Sequence, residues 1–509
     1  MSFQKSRYIG SRGFYSHVLA VAVPIAIQNG ITNFVGMLDN IMVGQVGTDQ
    51  MSGVSIVNQL LFVYNLMIFG GLAGIGIFTA QFSGKGDEKG VRYTMRLKLV
   101  LALVLTAASA VLFALQGENL VRLWLTGDSG SVDAGATMAA ARQYLLVMYA
   151  GLLPFAVSQV YSGTLRECGE TVVPMKAGIA AVFVNLIGNY ILIYGKFGAP
   201  AFGVAGAAAA TVLSRFVEAA IVIVWTHRHA RAGARSGGRP EYEEGVAGGL
   251  KESAAGGENR ASGETGGTQD ASAGNRFAYA DGLYRGFHIP ADLVRRILPK
   301  AFPLLMNETM WSLGMTVLSQ QYSTLGLDVV AAFNISNTIS NVFNIAFIAM
   351  GDAISIILGQ ELGAGKMDTV QDDAARMRVF SVFLCVISGV LLFAVSGVFP
   401  RIYNTTAQVR AIAAGLIRIS AVFMPVYAYE NASYFTLRSG GKTFVTFLFD
   451  SCFVWAASIP AAFLFTHFTG WPILTVFLAV QCIDFIKCFI GFAMVRRGNW
   501  VHDLTQYAG

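Results

Sequence analysis

Charge is scarce in this sequence. Asp, Glu, Lys and Arg supply only 13% of its 509 residues, against 54% hydrophobic residues. Soluble domains carry nearly twice that charged fraction, so a soluble protein of this length would lack the polar residues to cover its surface. Histidine is scarce too. The six present form no ligand cluster and no nucleophile–base pattern, which argues against a structural metal and against a membrane enzyme. The five cysteines (Cys168, Cys385, Cys452, Cys482 and Cys488) make no CxxC pair and fall in or beside apolar windows, as small buried side chains do. No basic stripe carries interleaved aromatics, so the net charge of +6 does not indicate nucleic acid. No filter-like repeat suggests a channel.

What is present is apolar length. Windows of about twenty apolar residues recur between short polar joints, and a helix of that length matches the bilayer's hydrocarbon core. Lipid cannot satisfy bare backbone groups, so these windows should be helices. They are too long and too continuously apolar for barrel strands. Twelve are expected, near 18–43, 52–80, 94–116, 138–160, 175–198, 203–226, 300–322, 332–358, 376–398, 411–434, 442–466 and 471–494. Lys5, Arg7 and Arg12 precede the first window, but no cleavage site and polar mature region follow, so that span is expected to be retained. Basic residues gather in alternate joints, including Lys85, Lys89, Arg92, Arg96 and Lys98, then Arg228, Arg231 and Arg235. The positive-inside rule then puts both termini in the cytoplasm of a cell-membrane protein.

Between the sixth and seventh windows the composition changes to Gly, Ala, Ser and Glu. Such a stretch buries too little apolar area to offset its ordering entropy. The expected organisation is a six-helix bundle at 1–227, a flexible cytoplasmic linker at 228–284, and a second six-helix bundle with a cytoplasmic tail at 285–509. The two halves resemble each other. Pro24 and Pro303, Asn29 and Glu308, Gln81 and Gln360, and Gly84 and Gly363 all stand 279 residues apart; Arg166 and Arg438, and Thr171 and Thr443, stand 272 apart. Six spans per half make this a parallel repeat, with its pseudo-twofold along the membrane normal and a substrate path between the halves.

Ionisable groups inside spans are costly and therefore informative. Asp39 lies in the first window, fifteen residues after Pro24, whose missing N–H permits a bend. A buried carboxylate can take a proton and exchange it for a cation. Asn185 and Asn189 share one face of the fifth span, and Thr211 and Ser214 of the sixth could join them. Amides of this kind either bond across helices or offer carbonyl oxygens to a cation. Asn307 and Glu308 open the seventh span, and Glu430 stands near Tyr427 in the tenth. Trp311 and Met315, with Met306, Met310 and Phe343, could line a greasy cavity suited to amphipathic or cationic molecules. Asp484 and Lys487, three residues apart, could neutralise each other, whereas Asp450 and Glu218 have no evident role.

At LDNIMVG around Asp39, AQFSGKG, LRECGET, NLIGN and KAFPLLMNE, the chain resembles the multidrug and toxic compound extrusion (MATE) family over about residues 15–225 and 285–495. The resemblance implies a V-shaped pair of six-helix bundles and alternating access. It implies export of organic cations or amphipathic compounds in exchange for protons or sodium ions. Asp39 matches the family's first-helix acidic cation site, Asn185 lies on the accompanying polar face, and Glu308 matches the seventh-helix acid. Where some relatives carry an acid on the helix-five face, this chain has Asn189. Glu430 lies about three residues from the register of the family's helix-ten acid. No cofactor is implied beyond the coupling ion, and each chain is large enough to form its own pathway among membrane lipids. The alternative is a lipid-linked-sugar flippase of related fold, whose cavity would favour inward-facing Arg or Lys; the spans offer mainly acids, with scattered Arg215 and Arg418.

Overall fold

A computed structural model describes residues 8–122, 134–235, 277–286, 288–403 and 405–505. The first half comprises α1 (Arg12–Gly44), α2 (Thr48–Lys85), α3 (Glu88–Arg122), α4 (Ala134–Glu167), α5 (Val172–Tyr194) and α6 (Val204–Arg235). The second comprises α7 (Ala291–Ser323), α8 (Leu327–Gly363), α9 (Val370–Val395), α10 (Ala407–Ser439), α11 (Thr443–Phe468) and α12 (Ile473–Arg496). Eleven of these are long and apolar enough to cross a membrane. The remaining one, α7, has 33 residues but carries Asp292, Arg295, Arg296, Lys300 and Glu308. Its place in the second half is that of α1 in the first, because it packs on α11 as α1 packs on α5. Leu115 and Phe489, each about three-quarters exposed, belong to an apolar outer surface that suits lipid.

The repeat is visible in both packing and turns. Helix α2 packs on α4, and α4 on α6; α8 packs on α10, and α10 on α12. Between the halves, α2 meets α7 and α1 meets α8. Gly86 and Gly365 both hold left-handed backbone after α2 and α8, at φ 75° and 76°. Gly169 and Gly441 do so after α4 and α10, at φ 87° and 75°. Glycine adopts this conformation without a Cβ clash, which lets each helix stop and the next begin within a few residues.

Three local features go beyond the sequence expectation. First, α1 runs unbroken through the buried Pro24. The Ala20 carbonyl, which proline leaves without its usual helical donor, accepts the Thr171 hydroxyl at 3.3 Å. Second, α11 contains two wide π-turns, Leu448–Cys452 and Val454–Ser458, which no apolar periodicity announces. Third, the expected linker is helical up to Arg235, and residues 277–286 form a docked strap. Arg92 donates to the Tyr279 and Ala278 carbonyls at 2.9 and 3.1 Å. Arg96 donates to the Leu283, Gly282 and His288 carbonyls at 2.8, 2.9 and 3.0 Å. Tyr279 and Leu283 are buried beneath them. These arginines therefore hold backbone as well as supplying positive charge. Residues 236–276 of the expected linker lie outside the described residues.

Candidate functional site

In the first half, four of the sequence-derived residues form one hydrogen-bonded chain. Asn189 Nδ2 donates to Asp39 Oδ1 at 2.5 Å and to Asn185 Oδ1 at 3.2 Å. Asn185 Nδ2 donates to Thr211 Oγ1 at 3.1 Å, and Thr211 donates onward to the Ala207 carbonyl at 3.0 Å. The i,i+4 spacing of the two asparagines makes this possible, because it stacks them on one face of α5 between α1 and α6. Both asparagines are buried. Among the described residues, Asn189 Oδ1 has no hydrogen-bond partner. A buried carbonyl oxygen left bare is costly, and its free lone pairs can receive a cation or a protonated group. Tyr144 and Arg215 were not singled out for this site. Tyr144, on α4, donates to Asn58 Oδ1 at 3.2 Å and lies within electrostatic reach of Asp39 and Arg215. Ser214 turns back to the Thr211 carbonyl at 2.8 Å rather than joining the asparagines.

The second group of candidates does not form one site. Successive helical residues point about 100° apart, so Asn307 and Glu308 face different neighbours. Glu308 faces α2, where a Cβ added to Gly70 would lie 2.8 Å from Glu308 Cγ. Asn307 faces into the second half. It donates to Asp450 Oδ2 at 3.1 Å and Tyr434 Oη at 3.2 Å, and accepts the Ser451 hydroxyl at 2.7 Å. Lys487 Nζ meets Asp450 Oδ1 at 2.9 Å and Glu430 Oε2 at 3.7 Å. Its ion-pair partners thus come from α10 and α11, not from Asp484 on its own helix. Tyr427 is bonded to Gln481 and packs beside Phe347 and Phe423. Trp311 is part-buried and Met315 is 41% exposed; Gly314 between them abuts Val454 and Trp455.

The halves converge at the end that carries the basic joints. A Cβ at Gly84 would lie 1.9 Å from the Gln360 carbonyl oxygen, and one at Gly363 would lie 1.8 Å from that of Gln81. The same two glutamines clasp the opposite half. Gln81 Nε2 donates to the Ser439 carbonyl at 3.1 Å, and Gln360 Nε2 donates to the Glu167 carbonyl at 2.8 Å. Glu167 and Ser439 stand 272 residues apart, so the two bonds are related by the internal repeat. The C-terminal segment straps this junction: Leu504 N donates to Gln81 Oε1 at 2.7 Å, and Gln81 donates to the His502 carbonyl at 3.2 Å.

Beside the clasp, a cavity of about 80 Å³ is lined by Lys98, Arg166, Glu167, Asp352 and Arg438. Lys98 is ion-paired with Glu167 and almost fully buried. Asp352 therefore lies in a cavity between the halves. The cavity's cations are not the arginines first considered for a flippase. Arg215 lies over the Phe155 ring at 4.4 Å, and Arg418 donates to Ser396 Oγ at 3.2 Å. Glu167 and Asp352 offset the cavity's positive groups, which does not suit a pyrophosphate. Among the described residues, no group of three or more His, Cys, Asp or Glu could hold a metal ion.

A family model described as MatE matches residues 24–191 and 303–471. A probable multidrug resistance protein NorM of Thermotoga maritima is 22% identical over 488 residues, covering 95% of this chain and 92% of that protein. Multidrug resistance protein MdtK of Yersinia pseudotuberculosis is 22% identical over 447 residues, covering 88% and 86%. Among solved structures, the outward-facing conformation of a multidrug resistance MATE family transporter of the MOP superfamily aligns with a TM-score of 0.77 at 17% identity, covering 97% of each chain. A MOP superfamily transporter from Pyrococcus furiosus aligns at 0.77 and 16%, covering 95% of each.

Proposed function

The chain belongs to the MatE family of secondary-active multidrug and cation efflux transporters, and on that premise we propose how its residues couple the two fluxes. It is a multi-pass membrane transporter rather than an enzyme. The exported molecule is a small amphipathic or cationic compound; the relatives NorM and MdtK are named for multidrug resistance. The coupling ion is a proton or sodium ion. It binds at Asp39, with Asn185, Asn189 and Thr211 as its polar surroundings. The observation that carries this reading is the bonded chain from Asp39 to Thr211, with the bare Asn189 Oδ1 inside it.

The basic end, with both termini, is cytoplasmic, so the Gln81–Gln360 clasp closes the cytoplasmic side. The bundles act as units at 1–227 and 285–509, joined through 228–284. Substrate lies between them, with Glu308 exposed to it from α7, and one chain suffices for transport. Tyr427, Glu430 and Asn307 support the second bundle's wall, and Trp311 and Met315 contribute apolar surface. An ion entering at Asp39 favours the state in which the clasp is closed and substrate leaves outward. Its preference for one state is what shifts the population. Pro24 lets α1 bend between the states, with Thr171 holding the Ala20 carbonyl in the state described.

Purified protein in liposomes, given an imposed proton or sodium gradient, should drive uptake or efflux of a fluorescent organic cation. The Asp39→Asn variant should still bind the dye but lose gradient-driven movement. Gradient-independent transport by the native chain, or unchanged coupling in the variant, would refute the assignment.

A further inference from the structure

The second half contains a carboxylate pair, buried Glu430 and part-buried Asp450, whose ligand positions are already filled. Asp450 Oδ1 receives Lys487 Nζ at 2.9 Å, and its Oδ2 receives Asn307 Nδ2 at 3.1 Å. Glu430 Oε2 faces Lys487 Nζ at 3.7 Å, and its Oε1 faces the Cys488 thiol at 4.0 Å. Lys487 Nζ also lies 5.4 Å from the centre of the Phe449 ring. Lys487 itself is 8% exposed. Asp484, on the same helix, is the further acid within electrostatic reach. Two carboxylates and an aromatic face converge on one ammonium, groups that a small monovalent cation would also use, while Asn307 orients Asp450.

The first half supplies the contrast. Arg215 lies on α6 and Lys487 on α12, the last span of each half. Arg215 turns to the Phe155 ring at 4.4 Å, while Asp39 bonds to Asn189 instead. In the second half, the cation of the last span sits on carboxylates. The wide π-turn Leu448–Cys452 in α11 contains Asp450 and Ser451, both of which bond to Asn307. Such turns recur at functional sites, because one extra residue per turn re-aims the side chains.

We infer that Lys487 is a tethered cation: its ammonium permanently fills a monovalent-cation site of the second half, leaving ion exchange to the Asp39 cluster. This deepens the antiport reading and rests on it only for the role given to Asp39. The physical basis is the cost of burying carboxylates. A mobile ion satisfies them only while bound, whereas a covalently attached ammonium remains at high effective concentration throughout the cycle. The half that cannot release its cation cannot be driven by an ion gradient.

The test uses full-length protein in detergent, in an Asp39→Asn background that removes the first-half site. In that background, Lys487→Ala deletes the ammonium and leaves its space. Thermal stability is followed against ethylammonium chloride and sodium chloride, with choline chloride holding ionic strength constant. A saturable rise in Tm with ethylammonium or sodium, absent when Lys487 is intact and abolished by adding Asp450→Asn, is expected. A folded Lys487→Ala protein with no saturable rise overturns the inference. If that variant cannot be recovered folded, ²²Na⁺ equilibrium binding is compared for Asp39→Asn with and without Asp450→Asn. Sodium binding that requires Asp450 while Lys487 is present overturns the inference, and its absence supports it. Failure of these arms leaves the loss of coupled transport in Asp39→Asn as a separate question, so the two readings fall independently.

Discussion

Replacing Gly84 and Gly363 together by alanine is expected to open the basic end of the molecule. Each new Cβ would meet a backbone carbonyl oxygen at 1.9 or 1.8 Å. An ordinary carbon–oxygen contact needs about 1.5 Å more. The obstacle is backbone, so no rotamer change relieves it, and α2 and α8 must part. Parting by that amount stretches the two clasp bonds, Gln81 to Ser439 and Gln360 to Glu167, beyond bonding range. Each contributes about 1 kcal/mol net, so their loss costs the closed state about 2 kcal/mol. That lowers the ratio of closed to open molecules about 30-fold. The change can be read by pulsed EPR between spin labels at Lys85→Cys and Ala364→Cys, both exposed positions, in a background lacking the five native cysteines. A broadened distribution with a longer mean distance is expected. The same distances in the alanine and glycine proteins would refute the reasoning, because they would show that the glycine contacts do not hold the halves together.

Other expectations follow from single contacts. Asn189→Asp places a second carboxylate against Asp39, so the pair should share a proton or recruit a cation; transport measured against external pH and sodium should shift, and unchanged dependence on both would count against the Asp39 cluster. Asn189→Ala removes the bond to Asp39 and the bond to Asn185 together, with a stability loss of about 1–3 kcal/mol readable as a fall in Tm. Lys98→Met leaves the part-buried Glu167 without its partner at a cost of up to about 3 kcal/mol, and adding Glu167→Gln should restore much of it; a double variant no more stable than the single one would show that the pair is not the source. Arg96→Ala removes the donors that hold the strap, so trypsin should cut at Arg285 faster than in the native chain, and an unchanged rate would mean that Tyr279 and Leu283 hold it by packing alone.

The Asp39 group was legible because its signals are local. Asn185 and Asn189 are four residues apart, and that spacing alone puts them on one helical face. A carboxylate in an apolar window is conspicuous wherever the helix sits. Glu308 and Asn307 show the limit of the same logic: their adjacency suggested a shared site, yet adjacency on a helix separates side chains rather than uniting them. Asp450 and Lys487 were visible as charges within spans, but nothing in either neighbourhood names the other, 37 residues away. Asp484, three residues from Lys487, was the nearer sequence partner, and the bundle instead brought Asp450 and Glu430 to it across α11 and α10.

Composition and hydropathy by themselves determined that the chain is a membrane-spanning array of helices. Backbone groups in lipid must be satisfied within each span, so apolar length dictates helix without help from the rest of the molecule. The 279- and 272-residue spacings determined two parallel halves, because a repeat is a property of order along the chain. Tertiary structure alone decided which polar groups meet. The π-turns of α11 bring Asp450 and Ser451 to Asn307, the left-handed turns set which helix ends converge, and Gly84 and Gly363 let α2 and α8 approach closely enough for two glutamines to cross the interface. Those meetings depend on helix crossing and register between segments hundreds of residues apart, and neither periodicity nor composition carries that information.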